Sequence, residues 1–207
     1  MVFASREEAG QRLGELLKAQ GVRADFVLGL PRGGVVVAYQ VAQALGVALD
    51  VLLVRKLGHP LHREFAVGAL AENEVVVLDQ PPRFRPISPA EWEAVVAEEK
   101  SRLESYQAKF HERGVPNLEG KNVILVDDGL ATGATAEAAI RCARKRNARN
   151  VVMAVPVAST NAFDRLAPLA DSVLAVEVDP EFSAVGRYYK EFSQTTDEEV
   201  LALLGAG

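Results

Sequence analysis

The chain has 207 residues, 49% hydrophobic and 25% charged, enough for one well-buried core and ordinary for a globular protein. A net charge of −5 and a pI near 5.3 make a nucleic-acid-gripping role unlike this chain. No run approaches the roughly 18 apolar residues of a membrane span, Met1 to Gly10 lacks the apolar centre of a secretory signal, and the single cysteine, Cys142, can form no internal disulfide, so a cytoplasmic location is expected.

Ser5-Arg6-Glu7-Glu8 has the pattern of a capping box, and Ala9, Leu13, Leu16 and Leu17 follow at helical spacing to Gly21. Asp25 to Leu30 is short, apolar and bounded by turn residues, which predicts a buried strand. The tight turn Leu30-Pro31-Arg32-Gly33-Gly34 then precedes a helical stretch from Val35 to Leu45. Its glycines can expose successive N–H groups and Arg32 supplies a fixed positive charge, so the turn reads as an anion site. Leu49 to Val54 reads as the next buried strand, and Arg55 and Lys56 at its end place two more cations at the same sheet edge. Leu57 to Glu64, polar and containing Gly58 and Pro60, reads as a loop, and Phe65 to Ala71 with Glu74 to Leu78 as a hairpin across Glu72-Asn73.

A proline-rich connection from Pro81 to Pro89 leads into a second capping box, Ser88-Pro89-Ala90-Glu91. It opens a long helix, about 89–113, with Trp92, Val95, Val96, Leu103, Tyr106 and Phe110 along one stripe that serves the core or a dimer contact. Gly114 and Pro116 stop it. Beyond the next segment, Ala134 to Arg146 reads as a helix with Cys142 on its apolar side, Val151 to Val155 as a strand, Ala162 to Leu169 as a helix and Ser172 to Val176 as a strand. From Asp179 the periodicity is lost among Phe182, Tyr188, Tyr189 and Phe192, before Thr196-Asp197-Glu198-Glu199 caps a last helix to Leu204.

The chemistry concentrates in Val123-Ile124-Leu125-Val126-Asp127-Asp128-Gly129-Leu130-Ala131-Thr132-Gly133-Ala134-Thr135. Four apolar residues end in two carboxylates, and a small-residue loop runs into a helix start. Ligands of open α/β sheets sit beyond the carboxyl ends of strands, and a helix N-terminus offers unpaired N–H groups to a phosphate. Thr132 and Thr135 add hydroxyl donors, while Gly129 and Gly133 let an anion approach the backbone. Asp127 and Asp128 would repel phosphate, but they can accept from neighbouring sugar hydroxyls or stand near a hydrated cation. A phosphate at one end with a diol and a metal beside it describes a ribose 5-phosphate derivative.

This segment resembles the binding signature of the type I phosphoribosyltransferases, enzymes that use phosphoribosyl pyrophosphate (PRPP): a hydrophobic strand, two acids, a short spacer, then Thr-Gly-x-Thr. The resemblance implies a Rossmann-like three-layer α/β/α fold with a mainly parallel sheet, a core over about 20–178 with the long helix inserted, and a hood or tail over about 179–207. It implies that Asp127 to Thr135 (Asp127, Asp128, Gly129, Leu130, Ala131, Thr132, Gly133, Ala134, Thr135) hold the 5-phosphate and ribose of PRPP. Pro31, Arg32, Gly33, Gly34, Arg55 and Lys56 would meet pyrophosphate, in a loop that often carries a non-proline cis peptide in this family. Mg²⁺ would stand near Asp127 and Asp128 mainly through water or ribose hydroxyls, and Asp127, Asp128, Arg32 and Lys56 would carry catalysis. Leu57 to Glu64 would be a mobile lid, and Phe182, Tyr188 and Tyr189 a wall for the base. The implied activity is transfer of ribose 5-phosphate from PRPP to a nitrogenous base; the alternative is a PRPP- or nucleotide-binding regulator without turnover. A homo-oligomer is compatible with either. Purine-salvage members that resemble this motif place an acid just before Thr-Gly, whereas this chain has Ala131, so hypoxanthine, guanine and xanthine are not expected as acceptors.

Overall fold

The computed structural model describes residues 1–79, 86–112 and 114–206, with the side chain of Glu64 excepted. Positions 81–85 of the proline-rich connection and Arg113 at the expected end of the long helix lie outside the described residues. The elements run α1 Arg6–Ala19, β1 Phe26–Gly29, α2 Gly33–Leu45, β2 Ala48–Val51, β3 Val54–His59, β4 His62–Ala71, β5 Val75–Leu78, α3 Pro89–Phe110, β6 Asn122–Val126, α4 Ala134–Lys145, β7 Asn150–Ser159, α5 Thr160–Leu166, β8 Ser172–Asp179, a 3-10 turn Val185–Tyr188, and α6 Asp197–Gly205.

Five strands form a parallel sheet in the order β2-β1-β6-β7-β8, and β3-β4-β5 form a separate antiparallel sheet. The five-stranded sheet is covered on both faces, which is why its central strands read as unbroken apolar runs rather than as alternation. In β6, Val123 and Leu125 pack toward Ala136, Ala139 and Ile140 of α4. Ile124 and Val126 pack toward Leu13 and Leu17 of α1 and Val37 and Val41 of α2. These are the three layers expected of the fold. Among the described residues, no helix is long and apolar enough to cross a membrane.

The helix starts follow their caps. Ser88 and Glu91 form a complete capping box, as do Thr196 and Glu199. The box at Ser5 is only half made: Ser5 accepts from the Glu8 N–H, but the Glu8 carboxylate turns to the Ala4 N–H and to Arg12. The α3 stripe buries Val95, Leu103 and Phe110 against Leu57 and Leu70 of the second sheet.

Two expectations need correction. The apolar run Leu49 to Val54 is not one strand: β2 ends at Val51 in the parallel sheet and β3 begins at Val54 in the antiparallel one. Leu52 and Leu53 in between are fully buried, so hydrophobicity alone hid the break. Leu57 to Glu64 is likewise not a loop, because β3 and β4 pair across it with His59 opposite His62 and register shifts at Gly58. Cys142 is buried and free.

Candidate active site

The carboxyl ends of β1 and β6 lie side by side, with Gly29 opposite Val126 in register, so the loops that follow them share one edge of the sheet. The Pro31–Arg32 peptide is cis, and α2 starts at Gly33. The two glycines are required by closeness: a Cβ on Gly34 would lie 2.8 Å from the Val126 carbonyl and 2.9 Å from the Asp127 Cα, and one on Gly33 would meet the Asp128 carboxylate. Only a chain without side chains at 33 and 34 lets the turn after β1 touch the acids after β6.

Between these loops and the second sheet lies a cleft of about 410 Å³. It brings together Pro31, Arg32 and Gly33, Arg55 and Lys56, and the whole run Asp127 to Thr135. Leu30, Val54, Ala66, Gly68 and Val185, not expected from the sequence as site residues, complete the wall. Gly34 is not part of the lining; it packs behind, against Asp127. Arg55 and Lys56 reach the cleft from the start of β3, not from the end of a parallel strand. Arg55 is held back, its Nε on the Glu99 carboxylate at 2.9 Å and its guanidinium 5.2 Å over Tyr106. Lys56 is exposed, and its charge acts on Asp127. Arg32 is 3.7 Å from the Asp197 carboxylate at the start of α6.

The loop from Gly129 to Gly133 is pinned from outside. Leu130 exchanges backbone bonds with β7, its N–H donating to Val157 and its carbonyl accepting from Ser159. The Ser159 hydroxyl donates to the Ala131 carbonyl at 2.6 Å, and Arg165 Nη1 donates to the Thr132 carbonyl at 3.1 Å. Two carbonyls that would repel an anion are thereby engaged on the α5 side. Gly133 caps α4 in the left-handed region with φ of 81°, and the first N–H groups of α4 have no intrahelical acceptor. Ala131 and Thr132 are exposed.

The two acids differ. Burial, and then the neighbouring Asp128 charge, push the Asp127 carboxyl up to about 8. Its Oδ1 accepts from the Asp128 N–H at 2.8 Å. Asp128 instead has a cation: Arg6 Nε donates to its Oδ2 at 2.8 Å. Arg6, Ser159 and Arg165 were missed from the sequence because each meets its partner across a large gap in the chain, 122 positions for Arg6, and local pattern carries no sign of it.

The aromatic wall is not where it was expected. Tyr188 and Tyr189 are buried, at 8% and 5% exposure, in a cluster with Phe3, Ala9 and Val157. Phe182 stacks on Tyr188 at 5.3 Å, the Tyr188 hydroxyl donates to Asp179, and the Tyr189 hydroxyl donates to the Asp128 carbonyl at 2.6 Å. The tail crosses Phe3, which forms an isolated parallel bridge with Tyr189: its N–H donates to Tyr188 and its carbonyl accepts from Lys190, and this pairing turns the rings inward. Val185 is the tail residue that faces the cleft.

A family model described as phosphoribosyl transferase domain matches residues 6–179. The chain belongs to the phosphoribosyl transferase domain family. Two Mycobacterium tuberculosis sequences, from strains H37Rv and CDC 1551, are each provisionally named phosphoribosyl transferase and are 43% identical over 98% of this chain. The chain spans about half of their length, 46%. Among solved structures, the Thermus thermophilus protein TT1426 is 45% identical, covers 99% of this chain with 98% of its own, and superposes with a TM-score of 0.80. A purine phosphoribosyltransferase from Pyrococcus horikoshii, 16% identical with 92% of each chain covered and a TM-score of 0.51, shares the fold.

Proposed function

We propose that the chain transfers the 5-phosphoribosyl group of PRPP to a nitrogen of a base, releasing pyrophosphate, with Mg²⁺ bound. The observation that carries this reading is the convergence of three unlike groups on one cleft: the pinned loop Gly129 to Thr135, the acids Asp127 and Asp128, and the cations Arg32 and Lys56. The first suits a phosphate monoester, the second a pair of sugar hydroxyls, the third a diphosphate.

In the reaction the bond from C1 to the diphosphate oxygen breaks, its electron pair leaves with pyrophosphate, and the base nitrogen bonds to C1. Gly129 to Thr135 anchor the 5-phosphate, and that remote binding energy orients C1. Arg32 and Lys56 stabilise the negative charge that grows on the leaving group, with Pro31, Gly33 and Arg55 shaping the surface around it and Gly34 letting the turn pack against Asp127 from behind. Asp127 and Asp128 hold the ribose hydroxyls. The donor set fits a magnesium ion. No group of three or more His, Cys, Asp or Glu able to hold a metal exists among the described residues, yet two carboxylates in the cleft suit a hard ion that takes its other ligands from diphosphate and water. Asp127 and Asp128 would hold it, and the ion would neutralise diphosphate charge when bound.

The acceptor is a base other than hypoxanthine, guanine or xanthine, since the Ala131 methyl group can neither give nor take a proton. The C-terminal tail, about 179–207, contributes to its site through Val185 rather than through Phe182, Tyr188 or Tyr189. The test is titration calorimetry of PRPP with and without Mg²⁺, then pyrophosphate release across a panel of bases. Mg²⁺-dependent PRPP binding with turnover of one base is expected. Binding with no turnover of any base would make the chain a PRPP-binding regulator, and no binding would end both readings.

A further inference from the structure

Resting on that transfer reaction, we infer that Arg6 is a positioning residue for it: from α1 it fixes the Asp128 carboxylate in the cleft wall and ties the first helix and the C-terminal tail to ligand binding. The pair is mostly buried, with side-chain exposures of 11% for Arg6 and 16% for Asp128. Arg6 Nε donates to Asp128 Oδ2 at 2.8 Å, and Nη1 donates to the Ser193 carbonyl, also at 2.8 Å. The guanidinium lies 4.0 Å from the centre of the Phe192 ring. The backbone of Asp128 is held as well, by the Tyr189 hydroxyl on its carbonyl. A Cβ on Gly33 would lie 2.7 Å from Arg6 Nε, so the ion pair is wedged against the Pro31 to Gly34 turn as well.

This arrangement uses what arginine has and lysine lacks. A planar fork can serve two acceptors and stack on a ring together, whereas an ammonium is a single point of charge. With one oxygen on Arg6, Asp128 presents a single fixed orientation to the ribose side. The cleft wall is thereby joined to residues near both ends of the described chain: Arg6 at one, and Tyr189, Phe192 and Ser193 at the other. An ordinary tie between α1 and the sheet would stabilise the fold without reading the ligand, and the experiment separates the two.

PRPP affinity by calorimetry and thermal melting are measured for the wild type, Arg6→Met, Arg6→Lys, Asp128→Asn and the double variant Arg6→Met with Asp128→Asn. Arg6→Met is expected to weaken PRPP binding about ten- to a hundredfold, the scale of a lost charge-assisted hydrogen bond. Arg6→Lys should recover part of it. In the Asp128→Asn background, Arg6→Met should cost little more, because the two act as a unit. Wild-type affinity in Arg6→Met overturns the inference, and so do equal losses in both backgrounds. If Arg6→Met melts below the assay temperature, Phe192→Leu decides: it leaves both charges in place, and unchanged PRPP affinity counts against the inference while a loss supports it. No PRPP binding by the wild type brings down the transfer reading, and this inference with it.

Discussion

Arg165 donates to the Thr132 carbonyl at 3.1 Å while its other contacts, Glu137 at 2.7 Å and Asp79 at 2.9 Å, lock the guanidinium between α4, α5 and the end of β5. The loop that would take the 5-phosphate is thus shaped by a side chain on the opposite side from the ligand. Arg165→Met is expected to weaken PRPP binding about tenfold, roughly one charge-assisted hydrogen bond's worth. Because Glu137 is nearly buried and keeps Arg141 as a partner, the melting temperature should fall by only a few degrees, on the scale of roughly 1 kcal/mol. Calorimetry with a melt on the same sample checks both; intact affinity would remove Arg165 from the loop's support.

Ser159 does two things with one hydroxyl: it donates to the Ala131 carbonyl and accepts from the Ala162 N–H as the cap of α5. Ser159→Ala should lose about 1 kcal/mol of stability from the cap alone. It should also loosen the loop, raising the PRPP dissociation constant, whereas Ser159→Asn, which can still cap α5, should restore stability but not affinity. Restoration of both by asparagine would show that the Ala131 contact is irrelevant.

Thr132→Ala combined with Thr135→Val is expected to weaken PRPP binding by roughly 1–3 kcal/mol, as hydroxyls lost from a charged ligand do. Thr132 is exposed, and its hydroxyl takes a long contact from the Ala134 N–H at 3.4 Å, so the melt should hardly move. Unchanged affinity would sink the phosphate-loop assignment.

Most of the parallel sheet was legible because β6 and its neighbours are short apolar runs bounded by turn residues, and because Asp127 to Thr135 is a dense cluster of unusual residues in a row. What was not legible depends on the third dimension. Leu52 and Leu53 are as apolar as the strands on either side, so nothing local marks the change from one sheet to the other. Tyr188 and Tyr189 looked like a wall because they are aromatic in an irregular stretch, but Phe3, nearly the whole chain away, draws them inside. Arg6 sat in a capping pattern that explained its neighbours and left its own side chain without a role.

A second buried charge cluster bears on stability. Glu72, 1% exposed, accepts from the Leu53 N–H, from Arg146 at 3.3 Å and pairs with His111 Nε2 at 2.7 Å. Glu72→Ala leaves those partners uncompensated and is expected to cost about 3–5 kcal/mol, read as a lower urea midpoint. A loss below about 1 kcal/mol, the value of a surface pair, would show that the cluster is solvated.

Nearby Asp50 has its carboxyl raised above its usual 3.8 by burial, only partly offset by the Val51 N–H and by His111. A raised carboxyl binds its proton more tightly folded than unfolded, so its contribution is favourable at low pH and is lost as pH climbs from the unfolded value through the folded one. Asp50→Asn keeps an acceptor for Val51 and cannot ionise. It should therefore melt higher than the wild type at neutral pH, with the gap closing as pH falls below the unfolded value near 3.8. A gap that is constant across pH would assign the effect to packing.

The adjacency of β1 and β6 has a consequence for how the molecule comes into being. Asp25 and Asn122, 97 positions apart, clasp where those strands begin, and the cleft opens where they end. Each strand has a local neighbour, β2 for β1 and β7 for β6, but everything between them, including the second sheet and α3, must be looped out before the two can pair with each other, and the entropy of that closure is lost before the contacts between the two halves form. A nascent chain that has emerged only as far as α3 therefore owns the turn after β1, with its arginine and glycines, but has nothing to set it against. The cleft and the pairing at the middle of the sheet arise together, and a chain caught before that step exposes the edge of β1 that β6 covers.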